Sequence, residues 1–192
     1  MSEPEKDKQQ LIFDSAEQIF GASGYASATI EEIAGNAGVA KGTVYLYFSS
    51  KQELFISLLE NRIGNYQGLI ETRLRTGGTV QEVLNALIAT RVQFVQNHLG
   101  LIDAMFQSMV SCAPEMRDRV LGAKIGVETL GGQSLAAFLP NHSEEQARQL
   151  VVMVGGMVDA LVADGFQQER DLNDQSIADQ VISLVLPGIL AY

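Results

Sequence analysis

The side chains that most often do chemistry are scarce and scattered in this chain. It has two histidines, His98 and His142, and one cysteine, Cys112. No GxSxG, HExxH, P-loop or CxxC spacing occurs. The histidines lie far apart and belong to no ligand motif. A lone cysteine beside apolar residues is usually inert core, with redox sensing as the alternative. Catalysis therefore finds no support, and no catalytic residue, metal site or cofactor is expected. A single cysteine also forbids an intramolecular disulfide, which fits a reducing cytoplasm.

One charged residue is out of place. Val80, Val83, Leu84, Leu87, Ile88, Val92, Phe94 and Val95 carry the apolar side of a predicted helix. Arg91 falls on that stripe, and His98 lies two turns on along the same face. A charge on an inward face is costly unless it is paired. One reading is an internal salt bridge to a nearby carboxylate, or a guanidinium that reaches solvent. The other makes Arg91 the anchor for a polar or anionic end of a largely apolar ligand. Phe94, His98, Met105, Phe106 and Met109 would then surround the ligand's body. Methionines at helical spacing suit plain core and an adaptable pocket alike.

A second constellation lies upstream, in Thr29 to Phe55. Thr29 with Glu32 is a capping box that starts a helix at Ile30, whose apolar face is Ile30, Ile33 and Ala34. Gly38 lies just past its end, where a left-handed residue closes a helix cheaply. A second short helix fits Lys41 to Tyr47. Ser50 with Glu53 caps a third, whose stripe is Leu54, Phe55, Leu58, Leu59 and Ile63. Two short helices across a glycine-containing turn make a helix-turn-helix, and its second helix suits a DNA major groove. On that helix Gly42 permits close approach. Thr43 can bond a base edge or pack on a thymine methyl, and tyrosine hydroxyls reach phosphates. Tyr45 and Tyr47, two residues apart, cannot both face inward.

The residues from about 10 to 60 resemble the N-terminal signature of TetR/AcrR-type transcriptional regulators. The match is carried by Phe20, Gly24-Tyr25, Thr29-Ile30, Ile33-Ala34, Ala37-Gly38-Val39, Lys41-Gly42-Thr43, Tyr45-x-Tyr47-Phe48, Ser50-Lys51 and Leu54-Phe55. The resemblance implies that Lys41, Gly42, Thr43, Tyr45 and Tyr47 form the recognition helix. It makes Thr29 a phosphate-binding cap and Lys51 a phosphate-binding lysine. Ala40 departs from the pattern, since many members place Ser or Thr there; Ala cannot cap, at a cost of about 1 kcal/mol.

The expected fold class is all-α, with about nine helices: three in the head, and six in the body counting the connecting helix. Residues 1–50 form a helix-turn-helix DNA-binding domain, and residues 51–192 a ligand-binding and dimerisation domain. The first eight residues read as a charged, mobile tail whose Lys6 and Lys8 can reach phosphates. The first helix runs from about Gln9 to Ser23 and ends at Gly24. In the body, Gly100 breaks a helix, and Pro187 kinks or ends the last one. The net charge of −10 argues against a general nucleic-acid or anionic-membrane binder. Residues 1 to 55 hold four lysines against eight carboxylates. Few phosphate contacts per head follow, with site-specific binding rather than non-specific affinity. No apolar run approaches the roughly 20 residues of a membrane span.

The segment from Leu150 to Val158 is apolar nearly all round, which suits a helix buried on more than one side. With the last helix it should form a four-helix bundle across a two-fold axis. Val151, Val152, Gly155, Val158, Val162, Ile182 and Val185 are the candidate contacts. The leading function is a dimeric, cytoplasmic repressor that binds a pseudo-palindromic double-stranded DNA operator and is released by a small, largely apolar effector. The alternatives are a partner-regulated DNA-binding protein with a solid core, and a small-molecule-binding helical protein that merely carries the head.

Overall fold

The computed structural model describes residues 3–75, 78–109, 113–168 and 174–190. Among these the chain is all-α, with eight helices. They are α1 (Glu3–Ser27), α2 (Ile30–Asn36), α3 (Lys41–Tyr47), α4 (Lys51–Leu74), α5 (Val80–Met109), α6 (Pro114–Ala136), α7 (Glu144–Gln167) and α8 (Asp174–Leu190). The helical path of α5 is interrupted at His98 (φ −126°, ψ 21°), so α5 is two helical segments joined at a kink. The break falls two residues before the glycine that predicts it. The start of α1 also differs from the prediction. Glu, Lys and Gln are good helix formers, so residues predicted as a tail extend the helix back to Glu3. Its helical path is interrupted at Gly24, at φ 77°, and resumes for one turn to Ser27 rather than ending at the glycine. Pro187 lies inside α8 rather than ending it. Its missing N–H leaves one backbone bond of the helix unmade.

The chain forms two compact units. The first comprises residues up to Arg62 together with His98–Gly122. In it α1 packs on α2, and α2 on α3. Ile12, Phe13, Ala16 and Phe20 of α1, Ile33 of α2, Val44 of α3 and Leu54, Phe55 and Leu58 of α4 are all buried. Phe20 meets Phe55 edge-on at 5.0 Å, and Phe13 meets Phe48 at 5.3 Å. These contacts tie α1 to α4 and to the residue that follows α3. Val44, fully buried, anchors α3 with roughly 1.5–3 kcal/mol of transfer energy. The Ser50 cap is half of the predicted box: Ser50 Oγ accepts from the Glu53 amide. The Glu53 carboxylate is drawn away to Arg119, at 2.9 Å.

The second unit comprises Ile63–Asn97 and residues from Ala123 on. Its core includes Tyr66, Ile70, Leu84, Ile88, Val92, Leu135, Val158, Val162, Ile177 and Val181. Helix α7 opens on a complete capping box between Ser143 and Gln146, and it packs on α8. By length and composition α7 could cross a membrane, with a mean hydropathy of 1.5 over its most apolar window. However, it is two-faced: Val154, Val158 and Val162 are buried, while Met153 and Phe166 are exposed. Its mid-helix Asp159 is ion-paired to Arg91, an expensive arrangement for a bilayer centre.

Candidate nucleic-acid interface

Helix α3 presents one buried and one open side. Val44 and the following Phe48 face inward, while Lys41, Gly42, Tyr45 and Leu46 are exposed. Thr43 and Tyr47 lie half-buried on one flank. Tyr45 is 47% exposed, so of the two tyrosines it is the more open. Ala40 makes no side-chain cap, as its type dictates. Helix α3 is instead positioned from both ends. Gly38, in the left-handed region at φ 67°, turns the chain between α2 and α3. The Val39 amide donates to the Ala34 carbonyl at 3.0 Å.

Thr29 forms the predicted capping box: its Oγ1 accepts from the Glu32 amide, and Glu32 Oε2 accepts from the Thr29 amide at 2.9 Å. Thr29 remains exposed at the N-terminus of α2. Lys41 pairs with Glu31 of α2 and lies 5.9 Å from the Tyr45 ring. The hydrogen bond to Glu31 raises the Lys41 pKa, and the same bond lowers that of Glu31. Both side chains are largely open, so a phosphate can take Lys41 from Glu31.

Lys51, which the resemblance places on a phosphate, has a different set of partners. Its ammonium donates to the carbonyls of Tyr25, Ala26 and Ala28 at 2.8, 3.1 and 2.8 Å. It also lies over the Tyr25 ring at 4.7 Å. Three N–H donors are thereby committed to the end of α1, and burial lowers the Lys51 pKa. In the same unit Arg62 forks between Asp14 (2.7 Å) and Glu17 (2.8 Å), and Glu17 also meets His98.

In the second unit Arg91 has found a carboxylate. Its Nε and Nη2 donate to the two oxygens of Asp159 at 2.7 and 2.6 Å. The guanidinium lies 5.9 Å from the rings of Tyr66 and Phe94, which stack at 4.7 Å. Burial opposes the Arg91 charge, but the Asp159 bond outweighs it and the Arg91 pKa is raised. Burial also pushes the Tyr66 hydroxyl up. Arg91 and Phe94 thus converge with two residues that sequence reasoning missed. Tyr66 was legible in the spacing of Leu59, Ile63, Tyr66 and Ile70, and Asp159 as the one carboxylate within the apolar stretch from Leu150 to Ala163. His98, Met105 and Phe106 belong to the first unit, where Phe106 is 67% exposed. The side chains of Met109 and Lys6, and all of Cys112, lie outside the described residues. A depression of about 300 Å³ in the second unit is lined by Glu71, Leu74, Arg75, Leu130 and Ser134. It includes none of the predicted ligand residues. Among the described residues no three His, Cys, Asp or Glu side chains converge as metal ligands would.

Of the predicted dimer contacts, Val158, Val162 and Ile182 are buried within the single chain, where they line its own core. Val152 is exposed, and Val151, Gly155 and Val185 are half-buried. The exposed apolar residues missed by sequence reasoning are Met153, Phe166 and Leu184. A run that is apolar all round does not say which side meets its own core.

Known proteins share this arrangement. The profile of the family described as bacterial regulatory proteins, tetR family, matches residues 12–58, a span that takes in Thr29 through Lys51 and so holds the candidate recognition-helix residues. The chain is 25% identical over 191 residues to the fatty acid metabolism regulator protein of Bacillus subtilis (strain 168), covering 96% of each. The structure of the fatty acid degradation regulator FadR from Bacillus halodurans matches with a TM-score of 0.78 at 26% identity, covering 94% of this chain and 95% of that one. The transcriptional regulator FadR from Bacillus subtilis, in complex with stearoyl-CoA, shares the fold with a TM-score of 0.74 at 22% identity, covering 91% and 96%. Residues 12–58 thus carry the signature of the tetR family of bacterial regulatory proteins, and the chain as a whole is similar to transcriptional regulators of that family.

Proposed function

We propose that the chain is a cytoplasmic, dimeric repressor whose hold on its operator is released by an amphiphilic anion with a long apolar body. The observation that carries the DNA half is the open face of α3, rigidly backed by Val44 and Phe48. Residues 1–50 serve as the reading head, with Lys41, Gly42, Thr43, Tyr45, Tyr47 and Thr29 at the DNA. Residues 51–192 serve as the effector and dimer domain. One recognition helix per chain and a two-fold assembly imply a pseudo-palindromic site. Lys51 acts one step back, holding the end of α1.

For the effector, the carrying feature is the Arg91–Asp159 pair beside Tyr66 and Phe94. Asp159 is 43% exposed at its side chain, so an external carboxylate or phosphate can compete with it for the guanidinium fork. The aromatic pair then borders the apolar body. The regulators of fatty acid metabolism among its relatives support an acyl thioester as the class. Helix α4 begins at Lys51, with only three residues between it and the end of α3 at Tyr47, and continues to Leu74, so it gives a covalent path between effector domain and head. A ligand acts only through its differential affinity for two states, so effector and operator must weaken each other reciprocally.

The test is selection of bound DNA from a random pool, followed by titration of acyl thioesters of graded length into the complex. A palindromic consensus and release by the longer chains are expected. Arg91→Met should fold and bind the operator but require about tenfold more effector, the loss of one charge-assisted contact. Asp159→Asn, which frees the guanidinium, should require less. An effector response unchanged in both variants would remove Arg91 from the site.

A further inference from the structure

The outermost line of the recognition helix carries no polar side chain. With Val44 pointing into the core, a rise of 100° per residue sets Gly42 and Leu46 opposite it, one turn apart. The exposures agree: Val44 is 0% and Leu46 84% exposed, and a Cβ on Gly42 would meet nothing within 4 Å. Lys41 and Tyr45 flank this line on one side, Thr43 and Tyr47 on the other. Leu46, 84% exposed, is the most exposed large apolar side chain among the described residues, and little among them covers it.

We propose that Leu46 is a specificity-determining residue that reads a thymine 5-methyl group in the major groove. The proposal rests on α3 being the DNA-reading helix. An isobutyl group has no donor or acceptor, so it gains nothing from the polar edges of bases. The thymine methyl is the one apolar feature that unmodified DNA shows in that groove. Gly42, with no side chain, lets the Leu46 end of the line sink close to the base edges. A deeply inserted leucine also penalises cytosine, whose amino group it would strip of water without a partner.

The methyl can be deleted from the DNA without touching any hydrogen bond. Each thymine of the selected operator is replaced by deoxyuridine, symmetrically in both half-sites, and affinity is measured for the wild type, Leu46→Ala and Leu46→Met. Wild type should lose about fourfold per half-site at one or two positions, the factor that burying one methyl confers. Leu46→Ala should bind thymine and uracil alike at those positions, while Leu46→Met retains the preference. Circular dichroism checks that the variants fold. Wild type indifferent to uracil throughout, or Leu46→Ala with undiminished discrimination, overturns the proposal while leaving DNA recognition by α3 intact. If Lys41→Ala and Thr43→Ala also leave binding unchanged, the assignment of α3 itself falls, and this proposal with it.

Discussion

Gly100 rests directly on the backbone of Gly21. A Cβ at Gly100 would lie 2.8 Å from Gly21 Cα and 3.2 Å from its carbonyl oxygen. The contact joins α1 to α5 two residues beyond the kink at His98, and one turn earlier on α1 Glu17 meets that histidine. Only glycine fits, because the obstacle is main chain and cannot rotate away. Gly100→Ala should therefore cost about 1–3 kcal/mol, as overpacking does. Gly21→Ala should cost less, since its Cβ would clear Gly100 Cα by 3.3 Å. Urea unfolding reads both as a shift in midpoint at constant slope. Two neutral substitutions would mean that the helices do not touch here.

Glu17 should make the stability of this unit acid-sensitive. Burial works against its charge, but the hydrogen bond from His98 and the charge of Arg62 outweigh burial and hold the carboxyl below its ordinary 4.5. A lowered carboxyl pKa contributes stability that is fully present above the unfolded value and lost as pH falls through the folded one. Glu17→Gln should thus cost about 1–3 kcal/mol at pH 7, leaving Arg62 with the Asp14 carboxylate and the Asn61 side-chain oxygen. The gap between variant and wild type should close as the pH falls below 4.5. Denaturant titrations at a series of pH values measure it, and a gap independent of pH would remove Glu17 as the cause.

Lys51 and Lys41 should separate in salt dependence. Lys41→Ala removes an exposed cation that can exchange Glu31 for a phosphate, so the slope of log affinity against log salt should fall by about 0.9 per head. Lys51→Met removes an ammonium that already serves three carbonyls. It should lower stability by about 1–3 kcal/mol and leave the slope nearly unchanged. Equal slope changes in the two variants would put Lys51 on the DNA after all.

What the sequence made legible divides along physical lines. Local signals were readable: the Thr29–Glu32 and Ser143–Gln146 boxes form as spaced, because a cap needs only residues three apart. The apolar face of α2 is buried at Ile30, Ile33 and Ala34, as its period requires. Partnerships across helices were not readable. Lys51 reaches carbonyls about 25 residues away in sequence, and Arg91 meets Asp159 at a separation of 68. A single sequence gives each member of such a pair without the geometry that joins them. The outward face of α3 lay between these cases. Its spacing set Leu46 opposite Val44, but a leucine on a short helix reads as core until its exposure is known.

The dimer prediction turns on which side of α7 and α8 is already used. Val162 is fully buried in one chain, whereas Leu184 is 71% exposed. Along α7, Val152, Met153 and Phe166 are also exposed, and a Cβ at Gly155 or Gly156 would meet nothing within 4 Å. An apolar face of this kind on paired helices suits a second copy, with the two glycines allowing close backbone approach. Leu184→Glu should leave the single chain folded, because the side chain touches little of it, yet place a charge where the copies meet. Light scattering should then report monomers, and operator affinity should collapse because both half-sites must be held at once. Gly155→Arg should act in the same way through bulk. Val162→Ala should do the reverse: it should cost roughly 1–3 kcal/mol of fold stability through a cavity, with the dimer constant little changed. If Leu184→Glu remains dimeric while Val162→Ala dissociates, the copies meet through the buried side and the assignment of faces is inverted.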